Sequence, residues 1–200
     1  MPTGVHLRDA RRQLLDAAER VLLRDGPSGL TSRAVTAEAD VSKGVLHRHF
    51  ADFDGFLAEL VHERISRIYD QAGVLCRTAG TGTVAGNLAR ALVDLLDPVL
   101  VAIVGLVIFR DELRARLRQT SQAQGLPVLA EVTAMIAAYL TEECELGRIA
   151  ADADVDSLAL ALTATAHLMF AGQDTGTPKA DGIHTVVETV LADVIQRRLL

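Results

Sequence analysis

Thr31 to Phe56 of this 200-residue chain runs TSRAVTAEADVSKGVLHRHFADFDGF. Thr31 stands where an N-cap is expected, its hydroxyl accepting from an amide in the first turn of the helix that follows. That helix runs about Ser32 to Ala39 and buries Val35 and Ala39. Asp40-Val41-Ser42 forms a turn, and Ser42 is expected to cap a further helix over about Lys43 to Phe50. Leu46 and Phe50 are four residues apart, so they share one helical face and pack inward. Val45, His47, Arg48 and His49 are left toward the outside. Two short helices joined by a tight turn, the second one cationic, form the layout of a helix-turn-helix whose second helix enters the DNA major groove.

The same periodic reading extends outward. Arg8 to Arg24 is helical, with Leu14, Ala18, Val21 and Leu22 on one apolar stripe. Asp25-Gly26-Pro27 then stops that helix. A longer helix over about Asp54 to Cys76 carries Phe56, Leu60, Ile65 and Ile68 on one side. Residues 77–84, rich in Gly and Thr, form a connector and a candidate boundary. Helices are expected over 85–96, 99–118, 127–146, 157–171 and 183–199. Asp97-Pro98 opens the second of these, and a break is expected near Gly105 or Asp111. Asp156 is expected to cap the helix from Ser157, and Gly147 to end the one before it. The polar stretch 119–125 and the loop 172–182 are connectors. The sum is an all-α chain of about nine helices. Residues 1–53 form a three-helix DNA-binding domain, joined through the helix 54–76, and 54–200 form a second, helical domain.

Composition agrees. Half of the residues are apolar, aromatics are 4% and Trp is absent, which suits helices rich in Ala, Leu and Val. Residues 1–50 hold eight Lys/Arg and six Asp/Glu, a net +2, so the remaining 150 carry −8 of the chain's −6. A basic N-terminal quarter on an acidic body fits a small DNA-binding module. The two cysteines, Cys76 and Cys144, lack metal-site spacing and suit a reducing compartment. The most apolar run, Val99 to Phe109, is too short for a bilayer, which needs about 20 residues. A cytoplasmic protein with no membrane partner is expected.

With these residues in hand, the chain resembles the TetR family of transcriptional repressors. Val35, Ala39, Val41-Ser42-Lys43-Gly44, Leu46 and Phe50 fall on that family's pattern, in the right helical order. The resemblance covers the N-terminal third; beyond it only the helical architecture matches. It implies that 54–200 is a helical regulatory domain for ligand binding and dimerisation, and that the protein is a repressor that binds a palindromic operator as a homodimer through its last two helices. A small-molecule effector, acting by a population shift, would release it. This chain departs from the pattern in three places. Asp40 stands where the family usually has Gly in the turn. His47 replaces the usual Tyr, and Phe53 replaces a lysine that usually grips phosphate at the start of the fourth helix.

Lys43 and Arg48 offer cationic donors for phosphate or guanine edges. Val45, where many relatives carry Thr or Ser, can meet a thymine methyl. His47 and His49 add donors whose charge depends on pH. Thr31 and Arg33 can clasp backbone phosphate, Ser42 is a cap first and a phosphate contact second, and Gly44 lets a backbone approach closely. Phe109, Arg110, Met135, Tyr139, His167 and Phe170 are candidate liners of an effector pocket. Their surroundings are apolar, so a mostly hydrophobic ligand is expected. No cofactor or metal is expected. Glu59 with His62, and His184 with Glu188, have helical spacing that any helix supplies by chance, and no HExxH, GxSxG or phosphate-loop pattern occurs. An enzyme is therefore not expected. The alternative is a helical ligand-binding or scaffold protein without DNA binding.

Overall fold

The computed structural model describes residues 4–120, 126–172 and 180–198. Within them are ten helices: α1 (Gly4–Gly29), α2 (Ser32–Glu38), α3 (Lys43–His49), α4 (Phe53–Cys76), α5 (Val84–Leu95), α6 (Pro98–Phe109), α7 (Asp111–Thr120), α8 (Pro127–Glu145), α9 (Val155–Ala171) and α10 (Ala180–Arg198). The expected stretch 99–118 is two helices, α6 and α7, which accounts for ten rather than nine. Gly105 stays inside α6, and the break falls at Arg110, beside the acidic first turn of α7 formed by Asp111 and Glu112. Acids there favour a fresh helix N-terminus. Residues 121–125, 173–179 and Leu199, which the expected connectors and last helix include, lie outside the described residues.

Contacts divide the chain into two units. The first comprises Met1–Glu63 and Ala102–Gln122, the second Arg64–Val101 and Ala123–Leu200. In the first, α1 follows a helical path until Gly26, whose φ of 71° and ψ of −178° break it ahead of Pro27. Its stripe, Leu14, Ala17, Ala18, Val21 and Leu22, is buried, as are Leu30, Val35, Ala39 and Leu46. Leu46 is wholly enclosed, a burial that stabilises by roughly 2–3 kcal/mol. Phe50 meets the buried Phe56 edge-to-face, with ring centroids 4.9 Å apart.

In the second unit α10 buries Ile183, Val187, Leu191 and Val194 at helical spacing, while α8 buries Val132, Ile136 and Leu140. Asp97 opens α6 as expected, accepting from the Leu100 amide at 2.8 Å, and also pairs with the buried Arg64. The cap of α9 is Asp154, which accepts from the Ser157 amide at 3.1 Å and its hydroxyl at 2.6 Å. Asp156, the expected cap, sits in the first turn instead. Gly147, with φ of 66°, follows the end of α8.

A polar cluster ties the Gly/Thr-rich connector into this unit. Tyr139, fully buried, donates to Glu143 Oε1 at 2.6 Å and accepts from Asn87 at 3.1 Å. Asn87 also donates to the Thr81 carbonyl at 2.9 Å, and Arg148 to the Gly82 carbonyl at 2.6 Å. Arg148 lies 3.4 Å from the fully buried Glu143 carboxylate, supplying the countercharge that a buried carboxylate needs. Burial, ahead of the bond to Glu143, holds the Tyr139 hydroxyl far above its ordinary range. No single described helix is both long and apolar enough to cross a membrane.

Candidate nucleic-acid interface

The turn between α2 and α3 is built by its hydrogen bonds. The Val41 amide donates to the Thr36 carbonyl at 3.0 Å, and the Asp40 amide to the Ala37 carbonyl at 3.2 Å. These are the paired bonds of a helix end whose next residue is left-handed. Asp40 has a φ of 51°, the one positive value on a non-glycine among the described residues. Aspartate tolerates this conformation better than most residues. From α1, Gln13 donates to the Ala39 carbonyl at 2.8 Å. The turn is thereby held against the helix that supports it.

Thr31 caps α2 as expected: its Oγ1 accepts from the Ala34 amide at 3.1 Å. Ser42 occupies the cap position of α3, but its side chain makes no capping bond. Its carbonyl instead accepts from the Val45 amide at 2.9 Å, so the hydroxyl is left exposed beside the start of α3. Lys43, Gly44, His47 and Arg48 are exposed; Val45 and His49 are half-buried. His49 turns its ring edge toward Phe50, and its carbonyl accepts from Arg11 at 3.3 Å. It is therefore less free to face outward than His47. A Cβ placed on Gly44 would meet nothing within 4 Å. No packing inside the fold demands glycine there.

The cations of this unit fall into two sets. Arg20 and Arg24 both bind Glu38, at 2.8 and 2.7 Å, and Arg24 also pairs with Asp25 at 2.9 Å. The bonds from Arg24, then Arg20, hold the Glu38 carboxyl below its usual range. Arg11 pairs with Glu59 at 3.1 Å. By contrast Arg33, Lys43 and Arg48 are exposed and have no acidic partner among the described residues. Unneutralised positive charge thus lies on α2 and α3, where the sequence places a DNA-reading surface, and also at the exposed Arg118 of α7.

The start of α4 is different. Asp52 caps it, accepting from the Gly55 amide at 2.5 Å, and takes a two-pronged bond from Arg116 of α7 at 3.0 and 2.9 Å. The Arg116 guanidinium, then the Gly55 amide, holds the Asp52 carboxyl below its usual range. Phe53 stacks on Phe56 at 5.7 Å, and the Arg110 guanidinium lies 5.5 Å from its ring centre. Asp52, Gln13 and Arg116 were not among the residues that sequence reasoning singled out. Their roles depend on partners 26 to 64 residues away, which no local pattern encodes.

The six candidate pocket residues divide. Phe109 is 80% exposed, and Arg110 donates to the Leu30 carbonyl at 3.0 Å and faces Asp54 at 3.7 Å, all within the first unit. Met135, Tyr139 and Phe170 are buried in the second unit, and His167 is half-buried there with Nδ1 lacking a partner. None of them lines either of two open clefts formed by described residues of the second unit. One, about 530 Å³, lies along α8 and α9 around Leu129, Thr133, Ala137, Leu160 and Ala164. The other, about 300 Å³, lies along α5 and α10 around Ala89, Arg90, Val93 and His184. His184 pairs with Glu188 at 3.4 Å, and among the described residues no His, Cys, Asp and Glu group is placed to hold a metal ion.

Three helices with a left-handed turn before a cationic third helix form a helix-turn-helix. Residues 14–60 match the family described as bacterial regulatory proteins, tetR family. Over 76 residues the chain is 36% identical to the HTH-type transcriptional regulator PksA of Bacillus subtilis (strain 168), covering 36% of this chain and 37% of that protein. The match thus spans little more than a third of that relative's length. Among solved structures, the fatty acid degradation regulator FadR of Bacillus halodurans superposes with a TM-score of 0.72 at 18% identity, covering 91% of this chain and 94% of that one. FadR of Bacillus subtilis, in complex with stearoyl-CoA, gives 0.69 at 17%, covering 90% and 97%. At these identities the structural likeness establishes the fold, which is that of TetR-family transcriptional regulators.

Proposed function

We propose that this chain is a ligand-responsive transcriptional regulator, a repressor that grips a palindromic operator as a homodimer and is released by a small, mostly hydrophobic effector. One observation carries the DNA half of this reading: Arg33, Lys43 and Arg48 stay without acidic partners among the described residues on α2 and α3, whereas Arg11, Arg20 and Arg24 of α1 are paired with acids. Phosphate is the partner such charges serve, and base edges are the targets of Val45, His47 and Arg48. Ser42 has a hydroxyl not used in capping, Gly44 has open space around it, Thr31 caps α2 with an oxygen that accepts from Ala34, and His49 is a weaker contact. Residues 1–53 act as the reading head and 54–200 as the regulatory part, in the bacterial cytoplasm where the operator lies.

The dimer is supported by α9, on which Leu160, Ala164 and Leu168 are exposed at spacings of four, with Leu160 61% and Leu168 71% accessible. Such a stripe suits a bundle built from α9 and α10 of two copies. The effector site is placed among Met135, Tyr139, His167 and Phe170. Phe109 and Arg110 are not carried into it, one being exposed and the other engaged in the head. Acyl chains are one ligand class to try, since a structural relative binds stearoyl-CoA.

The test is selection of duplexes from a randomised DNA library by the full-length protein, with Lys43→Ala/Arg48→Ala alongside. A palindromic motif enriched by the wild type and lost in the variant is expected. No enrichment by either would favour a ligand-binding helical protein without DNA recognition.

A further inference from the structure

We propose that Arg110, at the break between α6 and α7, and Arg116, within α7, are positioning residues that set the recognition helix α3 by bracketing the helix-turn-helix at both ends. This rests on the DNA-reading function proposed above. Leu30 immediately precedes Thr31, the cap of α2, and its carbonyl accepts from Arg110 at 3.0 Å. Asp52 follows α3 by only three residues and receives the fork of Arg116 at 3.0 and 2.9 Å. Seven consecutive residues, 110–116, thus hold the entry and the exit of the reading motif.

The site is built for this contact. A Cβ on Gly55 would lie 2.8 Å from Arg116 Nη1 and 3.1 Å from Asp52 Oδ1. Glycine at that position makes room for the guanidinium to lie against the helix start. Arg110 completes the arrangement, its charge 3.7 Å from Asp54 and 5.5 Å from the Phe53 ring. The start of α4 carries no cation of its own, only Asp52 and Asp54. Each acid is answered by an arginine of the 110–116 stretch, so the acids of this helix start meet their countercharges within the fold.

A direct phosphate contact and a positioning role make different predictions. Full-length wild type first selects a duplex from a randomised library. Arg116→Ala, Asp52→Asn (which keeps the α4 cap) and the double variant are then titrated against that duplex over a range of salt. Each single variant should bind about fivefold more weakly, the scale of a well-formed exposed ion pair. The double variant should be no weaker than either single, because both remove one interaction. The slope of log affinity against log salt should stay unchanged, and α3 amides of the free Arg116→Ala protein should exchange faster. Effects that multiply in the double variant, a slope reduced by about one, or affinity unaltered in both singles would each overturn the inference. A library that yields no enriched duplex removes the DNA reading and this inference together; an enriched duplex bound equally by all variants removes the inference alone.

Discussion

Gln13 on α1 donates its side-chain amide to the carbonyl of Ala39, 2.8 Å away and 26 residues later. That carbonyl belongs to the residue just before Asp40, whose φ of 51° reverses the chain into α3. The supporting helix thus grips the reading motif at its most demanding backbone position. Replacing Asp40 by Val puts a β-branched side chain into a left-handed conformation and should cost about 2 kcal/mol. Asp40→Gly should be at least as stable as the wild type. Urea unfolding of the two variants checks both statements.

Gly44 offers a separation of folding from binding. A side chain there meets only open space within the protein. Gly44→Ala should therefore gain up to about 1 kcal/mol of stability through helix propensity. If a DNA backbone approaches that surface, the same methyl group should weaken binding. Thermal melts and gel retardation on a selected duplex give opposite signs in that case, and binding that strengthens with stability would reject a close approach at Gly44.

Lys43 is exposed and without an acidic partner among the described residues. Lys43→Ala should weaken binding to specific and unrelated duplexes alike and lower the salt slope by about one. An unchanged slope removes Lys43 from the phosphate contacts.

In the second unit Tyr139 links Asn87 to the fully buried Glu143. Tyr139→Phe keeps the ring but leaves both partners short of a bond. It should cost about 1–3 kcal/mol, the range for stranding buried polar groups, read from denaturant midpoints. A loss below about 0.5 kcal/mol would mean that water replaces the hydroxyl.

His167 gives a pH dependence with a definite sign. Burial pushes its imidazole below the ordinary histidine range, and its Nδ1 finds no partner. The folded protein therefore holds the neutral form. Its stability contribution is complete above the ordinary value of about 6.5 and is lost as pH falls below it, because the unfolded chain then takes up a proton that the folded chain refuses. Urea midpoints measured from about pH 7.5 to about 5.5 should fall more steeply for the wild type than for His167→Gln. Parallel curves would count against this account.

Periodicity and capping made much of the head legible. The stripe of α1, the cap at Thr31, the stop at Gly26 and the inward Leu46 and Phe50 all follow from residues within a few positions of one another. Ser42 shows the limit: its type and place suit a cap, yet the hydroxyl is not used. Phe53 looked like a missing phosphate anchor, and only the fold reveals the arginines that meet its ring and its acidic neighbours. Phe109 and Arg110 read as pocket liners because an apolar helix precedes them. The break at Arg110 turned one outward and gave the other to the head. Periodicity states which face of a helix is apolar; it does not state which distant element meets that face.

Lys43, His47 and Arg48 are exposed, with no side-chain hydrogen bond or ion pair among the described residues, while Leu46 between them is wholly buried. Exposed substitutions of this kind usually move stability by no more than about 0.5 kcal/mol. The proposed reading surface is therefore evolvable at little risk to folding: a lineage, or an engineer, can revise these three side chains one at a time without approaching the stability threshold that purges most mutations. A new DNA preference on this scaffold need not await compensating changes in its core.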